Sequence, residues 1–321
     1  MGTFFNLLFS RHGLKLWGTF LLGVLIHIAI SIVIYLLFVI AGVLLGAFGG
    51  LGLALTQADP EAAMNSLADS GVAIIVALVL LFIVYFIVMM MPSAFYYAGM
   101  YGMVRETVFD NRTRFTTFFT QGFRFWLRAF WWHLLVALFA LPTFIPAVIG
   151  LVLIEQNPDT TLGIVFLIGT YVLLLIYAFF TMYSPVIMVT DNVGAFRSIL
   201  LSHKLVFRRF GTVFMTLLYN LLIFFGFIAV SFLIGGMITI LVPDFASDKP
   251  GALGASLQLI TTLAFFLAIF YVTAANLLIQ FLRYKWYLRP VLFPDADAKD
   301  IPPSNQAKGA YPQFPQDPHW N

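Results

Sequence analysis

The sequence predicts an all-α polytopic membrane protein with six transmembrane helices, accompanied by interfacial amphipathic helices and suggesting three helical-hairpin repeats. Three observations predict it. Of 321 residues, 61% are hydrophobic and 10% charged, against roughly 25% charged in soluble domains. Uncharged apolar runs recur along the chain, each longer than the ~20 residues that cross the hydrocarbon of a bilayer. Those runs do not alternate in polarity, as residues 72–91 show. Barrel strands would alternate, so helices are the remaining way to satisfy backbone amides and carbonyls in lipid.

The six spans are expected at residues 17–46, 72–100, 129–153, 162–188, 212–241 and 257–282. Arg11 and Lys15 precede the first. That run is far longer than the ~7–15 residues of a signal-peptide core, so it is read as a retained helix. The chain has no cysteine, which removes disulfides, thiolate metal sites and thiol nucleophiles.

Charge orders the connections. Arg105, Arg112, Arg114, Arg124 and Arg128 lie between spans two and three, and Arg197, Lys204, Arg208 and Arg209 between spans four and five. Arg283, Lys285, Arg289, Lys299 and Lys308 follow the last span. The first connection carries Asp59, Glu61 and Asp69, and the third carries Glu155 and Asp159, neither with a cation. Of the 17 basic residues only Lys249 falls on that second side. The positive-inside rule then places both termini on the cytoplasmic side of the membrane.

Three stretches, 3–100, 114–188 and 195–282, each read as a basic aromatic segment, a helix, a short acidic turn and a returning helix. In 113–128, Thr113, Thr117, Thr120, Gln121, Arg124 and Arg128 share one helical face, and Phe115, Phe118, Phe119, Phe123 and Trp126 the other. In the third unit Arg197, Lys204 and Arg208 oppose Phe196, Ile199, Leu200, Phe207 and Phe210; near the N-terminus Arg11 and Lys15 oppose Phe4, Phe5, Leu8 and Leu16. These segments are either juxtamembrane anchors or interfacial lipid-sensing or docking helices. On the second reading Arg112, Arg114, Arg124, Arg128, Lys204, Arg208 and Arg209 meet anionic headgroups.

The spans themselves hold no Asp, Glu, Lys or Arg, which argues against a proton-coupled pump. Asn220 and the stripe Thr273, Asn276 and Gln280 either hydrogen-bond between helices or line a polar path. His27 and His133 are isolated, without metal-site spacing. Gly42, Gly46 and Gly50 allow close helix approach, and Pro92, Pro142, Pro146 and Pro185 should kink or end helices. No phosphate-binding loop, nucleophile elbow or carboxylate pair is present, so an enzyme is not expected. No cofactor, metal or nucleic-acid partner is expected either.

Residues 1–290 should form the transmembrane domain and 291–321 a proline-containing cytoplasmic tail without apolar periodicity. Tyr311, Phe314 and Trp320 there could dock on a protein partner.

The stretch from Tyr183 to Arg209, YSPVIMVTDNVGAFRSILLSHKLVFRR, with Tyr96–Gly99 beside it, resembles the bacterial group related to the membrane domain of glycerophosphoryl diester phosphodiesterases. The resemblance implies a six-helix architecture. The diesterases' catalytic barrel has no counterpart in these residues, so no catalytic residue carries over. The expectation is a non-catalytic membrane-organising protein or accessory subunit. The alternative is a permease-like component moving a lipid or another amphiphile.

Overall fold

A computed structural model describes residues 2–55, 60–157, 160–242 and 251–294, with side chains described outside 45–75. It is 92% helical, with no strand among the described residues. The helices are α1 (Gly2–Phe9), α2 (Arg11–Leu55), α3 (Pro60–Phe109), α4 (Phe115–Ala140), α5 (Ile145–Gln156), α6 (Thr161–Thr181), α7 (Ser184–Thr190), α8 (Ala195–Arg208), α9 (Phe210–Leu241), α10 (Ala252–Arg283) and α11 (Arg289–Leu292). Six helical stretches are long and apolar enough to cross a membrane, and the chain is a multi-pass membrane protein.

The spans pair as three antiparallel hairpins: α2 with α3, α4–α5 with α6, and α9 with α10. The second and third hairpins are entered from chemically matching turns. Asp110–Asn111 and Asp191–Asn192 each follow a helix end. Both asparagines are left-handed, with φ 51° and 56°, a conformation Asn tolerates better than most residues. The first hairpin is entered differently. Ser10 donates to Leu7 O (3.1 Å) and accepts from the His12 amide (3.1 Å), ending α1 and capping α2.

Prolines break some helices and not others. Pro92 sits inside α3, Pro142 opens a 3-10 turn over Leu141–Phe144, and Pro146 and Pro185 lie in the first turns of α5 and α7. The break between α6 and α7 frees carbonyls that hydroxyls recover. Ser184 Oγ donates to Thr181 O (2.6 Å) and Ser202 Oγ to Phe180 O (2.6 Å). Ser202, on α8, is fully buried, so Ser202→Ala leaves the Phe180 carbonyl without its donor. A loss of about 1–3 kcal/mol is expected. An unchanged midpoint in a detergent-denaturation titration would contradict this account.

Burial is uneven along the helices. Leu16, Phe20, Met103, Phe118, Tyr183, Ile187, Leu205, Leu278, Phe281, Tyr284 and Leu288 form a core at one end, the basal end. Away from that end the apolar side chains stay open: Ile240 is 81% exposed, Phe232 77% and Leu241 76%. Hydrocarbon tails are as apolar as leucine, so lipid-facing helices gain little by burying such side chains.

Close helix approach is found away from the predicted Gly42 seam. A Cβ on Gly42 would meet only Leu81 Cδ2 at 3.7 Å, within the chain's own first hairpin. Side chains at 46 and 50 lie outside the description. In the second hairpin a Cβ on Gly150 would lie 2.8 Å from Gly163 O, and one on Gly163 2.9 Å from Gly150 O. Only glycine lets these two backbones approach so closely. The tail expected after residue 290 falls outside the described residues from 295 onward.

Candidate functional site

Polar chemistry concentrates at the basal end. After α10 the chain makes a π-turn, Tyr284–Leu288, a rare form that re-aims side chains. The Tyr284 hydroxyl donates to Asp191 Oδ2, and Arg289 Nε donates to Asp191 Oδ1 at 2.8 Å. The Asp191 carboxylate is 6% exposed. Lys285 Nζ donates to Val108 O (3.1 Å), at the end of α3 where a cation suits the helix dipole. Lys285 and Arg289 both lie over the Phe109 ring, at 4.8 and 5.4 Å. One short C-terminal stretch therefore holds the second Asp-Asn turn and the end of α3 that leads into the first.

A second cluster surrounds Glu106 of α3. Thr117 Oγ1 and Gln121 Nε2 donate to its carboxylate at 2.9 and 2.8 Å. Beside it Thr113 Oγ1 is hydrogen-bonded to Thr107 Oγ1 (3.0 Å) and His12 Nδ1 (2.6 Å). This corrects the predicted faces of 113–128. The segment continues as α4 without a break. Its threonine and glutamine face is turned inward, with Thr113, Thr117 and Gln121 buried beside Phe118 and Phe125. Phe115 and Phe123 are exposed. The reason is Glu106: a carboxylate on the neighbouring helix makes the interior the favourable side for those donors.

The predicted cationic residues divide. Arg112, Arg114, Arg124, Lys204 and Arg208 are exposed, with Arg124 over the Phe125 ring at 5.1 Å. Arg128 instead ties α4 to the second turn, its Nη1 donating to Asn192 O (3.1 Å) and Oδ1 (2.7 Å). Arg209 is half-buried at the break between α8 and α9. On α8 the buried face holds Ser198, Ile199, Ser202, Leu205 and Val206, while Phe196, Leu200 and Phe207 are exposed beside the cations. Ile199 therefore belongs with the protein interior rather than with the exposed phenylalanines.

Asn220 belongs to α9 and the stripe Thr273, Asn276 and Gln280 to α10, two helices that pair. Carbonyl oxygens of Asn220, Asn276 and Gln280 are buried without a hydrogen-bond donor, while Thr273 Oγ1 donates to Ile269 O of its own helix (2.9 Å). Interhelical hydrogen bonds thus do not account for these oxygens. Farther from the basal end, an open groove of about 600 Å³ runs beside Phe227, Ser231, Gly235, Thr239 and Phe265.

His133 packs against Tyr97 and Trp132 (centroids 4.9 and 4.8 Å), and its Nδ1 pairs with Ala129 O at 2.7 Å. His27 borders an almost wholly apolar cavity of about 300 Å³ with Tyr96, Pro92 and Phe118. No group of three or more His, Cys, Asp or Glu side chains is placed to hold a metal among the described residues.

Sequence reasoning missed Glu106, Tyr284 and Arg289. The repeated Asp-Asn pair was the available signal: two matching turns imply a matching requirement for partners. Comparison with protein-family models, curated proteins and solved structures returns no match.

Proposed function

We propose that this is a non-catalytic protein of the bacterial cytoplasmic membrane, with both termini inside, that organises lipid around itself or serves as an accessory subunit of a membrane complex. One observation carries the reading. The buried core sits at the basal end, while the rest of the spans present open apolar surface. Such a surface acquires neighbours at membrane depth, either acyl chains or the helices of another chain. The exposed cations Arg112, Arg114, Arg124, Lys204 and Arg208 add an interfacial attraction to anionic headgroups, on the order of 1 kcal/mol each near the surface.

Extraction in a mild detergent, followed by identification of what remains bound, tests it. Stoichiometric anionic phospholipid or a defined membrane-protein partner is the expected result. A lone, lipid-free monomer overturns the proposal.

The orphaned oxygens of Asn220, Asn276 and Gln280 favour a second reading, a permease-like path for an amphiphile whose hydroxyl or ammonium would donate to them. On that reading proteoliposomes exchange labelled lipid between leaflets faster than empty vesicles.

A further inference from the structure

We infer that the basal cavity between α1, α9 and the end of α10 binds the phosphate of an anionic phospholipid headgroup, with Arg283 and Trp286 as its donors. The inference rests on the lipid-organising reading and names a ligand and a site for it.

The cavity is about 180 Å³ and is bordered by Phe4, Tyr219, Arg283, Trp286 and Tyr287. Among the described residues Arg283 is the only charged one in its lining. The guanidinium is positioned from behind: Nε donates to Thr216 Oγ1 (2.7 Å) and Nη2 to Thr212 O (3.0 Å). Tyr219 and Tyr287 set its plane, with ring centroids 5.2 and 5.5 Å away. Neither anchor is an anion. Among the described residues the ion pairs are Arg105–Asp110 and Arg289–Asp191, so the charge of Arg283 has no carboxylate against it. A guanidinium carries five N–H donors, and Nη1 is not engaged by either anchor.

The second observation is the Trp286 indole N–H, which is buried without an acceptor on a residue lining the same cavity. Among the described residues Trp286 lacks an acceptor and Arg283 a counter-anion. An anion with several acceptor oxygens meets them together, and the fork of an arginine suits a phosphate in particular. The setting points to a lipid as its bearer. The remaining walls are aromatic and aliphatic, and Tyr219 belongs to α9, a membrane-crossing helix. Trp and Tyr at such a level are the usual companions of headgroups.

The test uses the full-length chain released from nanodiscs of equal phosphatidylglycerol and phosphatidylcholine into a native mass spectrometer. The wild type should retain phosphatidylglycerol in preference to phosphatidylcholine. Arg283→Gln should lower that retention at least about tenfold and Trp286→Phe about threefold, as expected for losing a charge-assisted and an ordinary hydrogen bond. Millimolar inorganic phosphate should not displace the lipid. Displacement by phosphate assigns the site to a soluble anion and overturns the lipid inference, as does equal retention of both lipids. If Arg283→Gln does not fold, an unchanged Trp286→Phe is sufficient to overturn it. A wild type that holds anionic lipid undiminished in both variants removes this site and leaves the broader reading standing. A wild type that holds none removes both.

Discussion

Asp191→Ala is expected to destabilise the protein by about 3–5 kcal/mol, the range for removing one partner of a buried ion pair. Asp191 accepts from both the Tyr284 hydroxyl and Arg289 Nε, and its carboxylate is nearly inaccessible. Removing it breaks the ion pair with Arg289 and takes the acceptor from the Tyr284 hydroxyl, on a side chain fully buried in a core that includes Tyr183, Leu205 and Leu288. The measurement is the midpoint of a detergent-denaturation titration followed by helicity. Arg105→Ala supplies the contrast, because the Arg105–Asp110 pair, with side chains 32% and 44% exposed, should lose under about 1 kcal/mol. A double replacement, Asp191→Leu with Arg289→Leu, should recover part of the loss, since it removes both charges of the pair together. Equal effects for Asp191→Ala and Arg105→Ala would show that Tyr284 and Arg289 do not hold the second turn through Asp191.

The six spans were legible because their signal is local and large: every residue of an apolar run contributes the same preference for hydrocarbon. Helix ends were less so. Residues 72–100 were expected as the second span, yet α3 runs from Pro60 to Phe109, because a charged residue ends an apolar run without ending a helix. The polar clusters were legible only as spacing. Thr117 and Gln121 do share a helical face, but which way that face turns depends on Glu106, which belongs to another helix. The same holds for close approach. Gly42, Gly46 and Gly50 show the spacing within one helix, whereas Gly150 and Gly163 contribute one glycine from each of two helices, and no pattern within either helix announces the pair. Arg128 was legible as a cation and not as the residue that holds Asn192, because its partner lies 64 positions away.

Gly102 bears the other large expected effect, and it depends on the same α3–α4 contact. A Cβ built there would lie 2.3 Å from Gln121 Cβ and 2.8 Å from Gln121 Cγ, where carbon atoms ordinarily rest at about 3.5–4.0 Å. Rotating Gln121 cannot relieve this, since Cβ is fixed to its backbone. Gly102→Ala must therefore push α4 away from α3, and that motion stretches the bonds from Thr117 and Gln121 to Glu106. Overpacking of about 1–3 kcal/mol and the partial loss of a carboxylate's donors, about 1–3 kcal/mol more, together predict roughly 3 kcal/mol or greater. The geometry also predicts how the loss depends on residue 121. In a Gln121→Ala background the clash persists, because alanine keeps Cβ, and Gly102→Ala should still exact most of its overpacking penalty. In a Gln121→Gly background the clashing atom is gone, so the added cost of Gly102→Ala should fall toward zero, although Gly in mid-helix lowers the starting stability by about 1 kcal/mol. Equal penalties in the two backgrounds would mean that α3 and α4 are not in the contact described, and the inward-facing Glu106 cluster would go with it.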